Sequence, residues 1–155
     1  MRIYISGQMT GKPDLNRTAF DAAEKRLREA GHFVINPHAL SAQFGTPKEL
    51  SDAFAAAYAN PLANAGGYEV HSRRLRLARA VMDADLAAVR SCDAIYLLRG
   101  WNESRGAKKE LDEALKHGLK VIMSDDWEHE QEQRSLKAKI ELGRKIKELQ
   151  EGEEK

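Results

Sequence analysis

The chain has 155 residues, 42% of them apolar, and carries 25 Lys and Arg against 24 Asp and Glu for a formal charge of +1. That length gives room for one domain with a real core and is short for two, while the interspersed charge argues against a strongly basic nucleic-acid surface. A lone cysteine, Cys92, excludes an intrachain disulfide and suits a reducing cytoplasm.

The amino terminus enters a strand at once. Arg2 to Ser6 is alternating and β-branched, with neither the basic segment nor the long apolar run of a signal peptide. A loop follows, Ser6, Gly7, Gln8, Met9, Thr10, Gly11, Lys12 and Pro13, and then Asp14 or Asn16 can cap a helix. The inner stripe of that helix is Phe20, Ala23, Leu27 and Ala30, and Gly31 is placed to end it. A second strand, His32 to Asn36, stops at Pro37.

Residues 37–70 are broken by Pro37, Gly45, Pro47, Pro61 and Gly66-Gly67, and Pro47 to Tyr58 can form a short helix. Such an insertion beside a ligand edge would serve as a lid or a subunit contact. Next comes a helix over Leu75 to Val89 whose apolar stripe is Leu75, Ala78, Met82, Leu86 and Val89; Arg73, Arg74, Arg76 and Arg79 read as its solvated face. The run Asp93 to Leu98 is an almost wholly apolar strand. After it a loop, Arg99 to Gly106, opens a helix with Ala107, Leu111, Ala114 and Leu115 inward, and Leu119 to Ser124 is a fourth strand.

Near-continuous apolar strands alternating with helices indicate an α/β fold. The expectation is a single doubly wound parallel sheet of four to five strands, Rossmann-like or flavodoxin-like, with helices on both faces and a C-terminal helix. The catalytic domain is expected over residues 1–125, and residues 126–155 form an amphipathic helical extension with Leu136, Ile140, Leu142, Ile146 and Leu149. That extension packs on a subunit neighbour or frays, and no chemistry is assigned to it. No segment approaches the length that spans a bilayer. The five histidines show no short paired spacing and there is no cysteine pair, so no metal and no cofactor are expected.

Two carboxylates lie on core-facing stripes. Glu110 falls between Ala107 and Ala114, and Asp85 lies between Ala78, Met82 and Val89, with Asp83 on the flank. An isolated Glu at a stripe edge is more often a snorkelling surface residue, but an inward carboxylate costs free energy unless paired, and here there are two. Helices flanking one strand would bring Asp85 and Glu110 together at the sheet's carboxyl edge, where such sheets bind ligands. Paired carboxylates serve glycosidic-bond chemistry, with about 5 to 5.5 Å between them if one is a nucleophile. Both loops at that edge carry glycines and open helices, which suits a phosphate or ribose cradle, although neither is a Walker or dinucleotide fingerprint. Trp101, Tyr58, Phe54 and Tyr68 could stack on a base, and each taken singly is more often packing.

Arg2 to Gly11, Asp85-Leu86 followed by Cys92-Asp93-Ala-Ile, and Ser104-Arg105-Gly106 with Glu110-Leu111 resemble the nucleoside 2-deoxyribosyltransferase superfamily from Met1 to about Met123. The superfamily includes base-exchanging transferases and 2'-deoxynucleoside 5'-phosphate N-hydrolases, and the chain looks closest to an uncharacterised branch similar to the latter. The resemblance implies Glu110 as the nucleophile at C1', Asp85 as the group that handles the leaving base's proton, and Tyr4 as the residue that orients the nucleophile. It implies substrate or phosphate contacts from Ser6, Gly7, Gln8, Met9, Gly11, Ser104 and Gly106. Thr10 stands where the hydrolases carry an arginine, and Lys108-Lys109 where they have smaller or aromatic residues. Lys12 or Arg105 could supply the missing charge, and Trp101 is a further candidate. A nucleoside or nucleotide partner and a homodimer or larger assembly are implied. The other readings open to the sequence are a catalytically inactive nucleotide-binding or sequestering module, and an assembly protein acting through its terminal helix.

Overall fold

In a computed structural model that describes residues 1–59 and 67–153, the chain divides into two compact units, Met1–Met123 and Ser124–Lys155. The first holds four parallel strands, β1 (Arg2–Ser6), β2 (Phe33–Ile35), β3 (Ala94–Leu97) and β4 (Lys120–Met123), in the order β2-β1-β3-β4. Chain order reverses between β1 and β3, so the carboxyl ends of these two strands form the switch point of the sheet. Ile3, Tyr4, Ile5 and Ser6 stand beside Ala94, Ile95, Tyr96 and Leu97 in register, all buried.

The helices of this unit are α1 (Arg17–Glu29), α2 (Pro37–Ser41), α3 (Pro47–Phe54), α4 (Gly67–Arg90) and α5 (Arg105–Lys116). Right-handed crossovers put α1 on one face of the sheet and α4 with α5 on the other. Phe20, Ala23 and Leu27 are fully buried on α1, while Ala30 is exposed at its end. Gly31 closes α1 at φ +87°, with His32 N–H donating to the Leu27 carbonyl at 3.1 Å, a Schellman arrangement. Tyr4, Ile95 and Leu97 share a core cluster with Val89 of α4 and Ala114 of α5.

Several local readings are revised. Asn16 does occupy the cap position of α1, but its side chain donates to the Gln8 carbonyl at 2.9 Å instead of capping. Asp14, Leu15 and Asn16 form a left-handed turn, with φ of 49°, 51° and 61°, held by burial of Leu15 and by a hydrogen bond between His38 Nε2 and the Leu15 carbonyl at 3.0 Å. The core stripe of α4 is Ala78, Val81, Asp85 and Val89; Met82 and Leu86 are half-buried and Leu75 is 40% exposed. The helix has two apolar stripes, and the buried one packs Ala78 and Val81 on Leu50, Ala53 and Phe54 of α3 and Val89 on Tyr4, Ile95 and Leu97 of the sheet. Leu115 of α5 is likewise exposed.

α3 begins with Pro47 after a capping box, Thr46 with Glu49, and widens after Phe54 into a π-helical turn, Ala55–Ala59. Part of the expected 37–70 insertion, residues 60–66, and the side chain of Tyr68 lie outside the described residues. The second unit is one helix, α6 (Ser124–Glu153), beginning two residues before the expected boundary. Its Leu136, Ile140, Leu142, Ile146 and Leu149 are exposed, and pairs such as Arg144 with Glu141 at 2.9 Å run along it. Among the described residues no helix is long and apolar enough to cross a membrane.

At the switch point the chains come close together. A Cβ added at Gly7 would stand 2.9 Å from both Cβ and Cδ1 of Leu98. Gly7→Ala is therefore expected to lower stability by about 1 to 3 kcal/mol, the usual cost of overpacking, seen as a lower urea midpoint with an unchanged slope.

Candidate active site

Strand periodicity assembles the base of the site. Tyr4 and Ser6 are two residues apart on β1, so both side chains project to the face that α5 covers. The Tyr4 hydroxyl donates to Glu110 Oε1 at 2.9 Å and the Ser6 hydroxyl donates to Glu110 Oε2. Each carboxylate oxygen keeps further acceptor capacity. Glu110 sits on α5 between Ala107 and Ala114, which are almost fully buried, and is itself only 6% exposed. Asp85 of α4 is equally buried, and its Oδ1 has no hydrogen-bond partner.

Both carboxylates border one cavity of about 290 Å³ at the carboxyl edge of the sheet. The loop after β1 supplies Gly7, Gln8, Met9, Thr10 and Gly11. The start of α5 supplies Glu103, Ser104, Arg105, Gly106 and Ala107. The remaining wall is mostly apolar: Phe20, Pro37, Phe54, Tyr58, Ala78, Val81 and Met82. Ser104 is the N-cap of α5, its Oγ accepting from the Ala107 amide at 3.1 Å, so this helix start and its amides face the cavity with Arg105 beside them. Arg105 is the one cation among the described lining residues. Gln8 presents a buried Oε1 without a partner, an acceptor available to a ligand donor.

The expected residues do not all serve alike. Ser6, expected among the substrate contacts, is fully buried behind Glu110 and does not line the cavity. Trp101 packs against the core cluster of Tyr4, Val89 and Ile95, and Lys12 is exposed; neither borders the cavity. A strand-facing hydroxyl and a half-buried indole both look ligand-ready in sequence, and packing alone separates them. Phe54 and Tyr58 do reach the cavity, Tyr58 carried there by the π-helical turn, with Lys109 Nζ 5.6 Å from its ring centroid. Phe20, Pro37, Val81 and Glu103 border the cavity without a signal of it in the sequence: Phe20 reads there as an ordinary core position, Pro37 as the end of a strand, and Val81 lies off the stripe expected for its helix.

The electrostatics follow from burial. Asp85 is pushed up to about 9, first by loss of solvation and then by the nearby charge of Glu110. Glu110 rises less, to about 7, because the Ser6 and Tyr4 hydroxyls stabilise its ionised form against the larger effect of burial. Burial and the two carboxylates hold the Tyr4 hydroxyl far above its ordinary range, so it stays a proton donor. Between about pH 7 and about pH 9 the pair thus holds one proton, which favours Asp85. Among the described residues no three His, Cys, Asp or Glu side chains gather as a metal cluster.

These features define an α/β domain with a coupled carboxyl pair at the floor of a switch-point cavity. The chain belongs to the family described as a domain of unknown function, DUF4406, whose model matches residues 1–59 and 44–123. Its structure is similar to that of a 2-deoxyribosyltransferase from the psychrotolerant bacterium Bacillus psychrosaccharolyticus, at 19% identity and a TM-score of 0.48, over 79% of this chain and 71% of that one. No curated protein sequence matches the chain significantly.

Both raised carboxyls bind protons more tightly in the folded than in the unfolded state. Their contribution to stability is therefore complete below the ordinary carboxylate range and is lost as pH rises from there through about 7 and about 9. Stability should fall over this window with a slope of up to about 1.4 kcal/mol per pH unit for each group. Asp85→Asn should make the fall shallower above neutrality in denaturation curves recorded across pH.

Proposed function

We propose that the chain cleaves the N-glycosidic bond of a (deoxy)nucleoside 5'-monophosphate, with Glu110 as nucleophile and Asp85 as acid. The reading rests above all on the two buried carboxyls facing one cavity, one whose ionised form two hydroxyl donors favour and the other, more basic, that keeps a proton. A Glu110 oxygen attacks C1' as the bond to the base nitrogen breaks. The electron pair goes to that nitrogen, which takes the proton of Asp85. Asp85, now a carboxylate, removes a proton from water or from a second base, which attacks C1' and frees Glu110. Hydrolysis and base exchange thus share their first step.

Tyr4 and Ser6 hold Glu110 by both oxygens, which fixes its direction of attack. A 5'-phosphate fits the start of α5, where amides and Arg105 favour an anion, with the Gly7 to Gly11 loop alongside. The base then has Phe54, Tyr58 and Met82 for an apolar slot, and the unpartnered Gln8 Oε1 for an exocyclic amine or a sugar hydroxyl.

Chromatography of the full-length protein with nucleosides and their 5'-monophosphates, with and without an acceptor base, should show free or exchanged base. Glu110→Ala should reduce turnover roughly a thousandfold or more, and Asp85→Asn by about a hundredfold or more. The pH profile of kcat/KM should be bell-shaped, rising as Glu110 ionises near 7 and falling as Asp85 loses its proton near 9. Arg105→Ala should raise KM for a monophosphate by about ten- to a hundredfold, the scale of a charge-assisted hydrogen bond, and leave a free nucleoside unaffected. Turnover unchanged in Glu110→Ala would refute the reading. Ligand-induced stabilisation without product in the wild type would favour an inactive nucleotide-binding module.

A further inference from the structure

After the Gly7 to Gly11 loop the chain runs through three successive left-handed residues, Asp14, Leu15 and Asn16, with φ of 49°, 51° and 61°. None is glycine, so each costs free energy, and such strain persists only where the surroundings over-determine it. Leu15 is 8% exposed and packs with Leu50, Phe54 and Val81, and its carbonyl accepts from His38 Nε2 at 3.0 Å. Asn16 also forgoes the capping bond that its place at the start of α1 offers. One contact is made in exchange: Asn16 Nδ2 donates to the Gln8 carbonyl at 2.9 Å, across the loop after β1.

We propose that Asn16 is a positioning residue that aims the Gln8 side chain, making Gln8 Oε1 a fixed acceptor for a neutral N–H or O–H donor of the ligand. Gln8 Nε2 donates to the Thr10 carbonyl at 3.3 Å. The reversed amide would set oxygen against oxygen there, so Oε1 is the atom left to face a ligand. That oxygen is buried without a partner, and it stands 4.0 Å from the place of a Cβ on Gly100, in the loop that follows β3. Gln8, which lines the cavity, thus reaches from one glycine-bearing loop towards the other at the switch point. A buried acceptor left unmet is costly, and a ligand that brings the donor recovers that cost. The acceptor therefore selects among ligands.

The nature of the donor rests on the nucleotide substrate proposed above, in which a sugar hydroxyl and an exocyclic amine share the same donor chemistry. The positioning itself does not rest on it. Neither Leu15 nor Asn16 borders the cavity, so any influence they have on a ligand passes through Gln8 and its loop.

Calorimetric titration of the full-length chain carrying Glu110→Ala, which keeps a nucleotide intact, tests this with adenosine 5'-monophosphate and three analogues that lack in turn the 2'-hydroxyl, the 3'-hydroxyl and the exocyclic amine. Gln8→Met should weaken the parent nucleotide about five- to tenfold, the scale of one hydrogen bond to a buried group. It should leave unchanged the analogue that lacks the donor Gln8 meets, which identifies that donor. Asn16→Gly removes the contact and relieves the left-handed strain, so it should weaken the same ligands to a similar degree without lowering the melting temperature. In the ligand-free chain the side-chain amide resonances of Gln8 should be displaced from those of free glutamine and return to them in Asn16→Gly. That signal reports the positioning whether or not a nucleotide binds, which separates its failure from failure of the proposed reaction. Gln8 amide resonances unmoved by Asn16→Gly, undiminished binding of the parent by that variant, or an equal loss for the parent and all three analogues would each overturn the inference.

Discussion

The grip of two β1 hydroxyls on one α5 carboxylate is the interaction around which this domain is arranged. Glu110 is nearly enclosed, and an ionised group there would be intolerable without donors. Tyr4 and Ser6 supply them because alternate residues of a strand share a face. The same two bonds join the central strand to the helix that follows β3, so they bind the two sides of the switch point together. What favours the ionised form also fixes its position.

Asp85 shows the opposite solution to the same problem. It has the same burial but no comparable set of donors, and its Oδ1 has no partner. Its charge is therefore suppressed and its proton retained. Two carboxyls of ordinary acidity are driven apart by environment, one towards its ionised form and one towards its protonated form. Around them the cavity is divided: backbone-rich glycine loops and a helix start on one side, aromatic and aliphatic walls on the other. That division suits a ligand with an anionic end and a flat apolar end.

Helix α4 combines several duties on one cylinder. Its core stripe carries Asp85 and packs Ala78 and Val81 against Leu50, Ala53 and Phe54 of α3 and Val89 against Tyr4, Ile95 and Leu97 of the sheet, while its outer line of Leu75, Met82 and Leu86 stays partly open. The outer line includes Met82, which also faces the cavity, so cavity wall and outer surface are two sides of one layer. The π-helical turn after α3 contributes Tyr58 to the same layer.

The four strands, their parallel pairing and the inward placement of Asp85 and Glu110 were legible in the sequence, because apolar runs and a 3.6-residue period are local properties. Strand limits moved by a residue or so, as with Asp93 to Leu98 becoming Ala94–Leu97. Which of the two apolar stripes on α4 is buried was not legible, since hydrophobicity does not rank Val81 above Leu75; packing against α3 does. Nor does the sequence tell a serine that contacts ligand from one that holds a carboxylate behind it, as Ser6 does, or reveal that Trp101 is packed while Tyr58 reaches the cavity. The left-handed turn at Asp14 to Asn16 carries no glycine to signal it and is held by Leu15 burial and His38 from a distant element. Periodicity along the chain thus determined the elements and the direction of their carboxyls. Only tertiary packing decided which donors surround each carboxyl and hence which holds the proton, because solvation and hydrogen bonding come from neighbours remote in sequence.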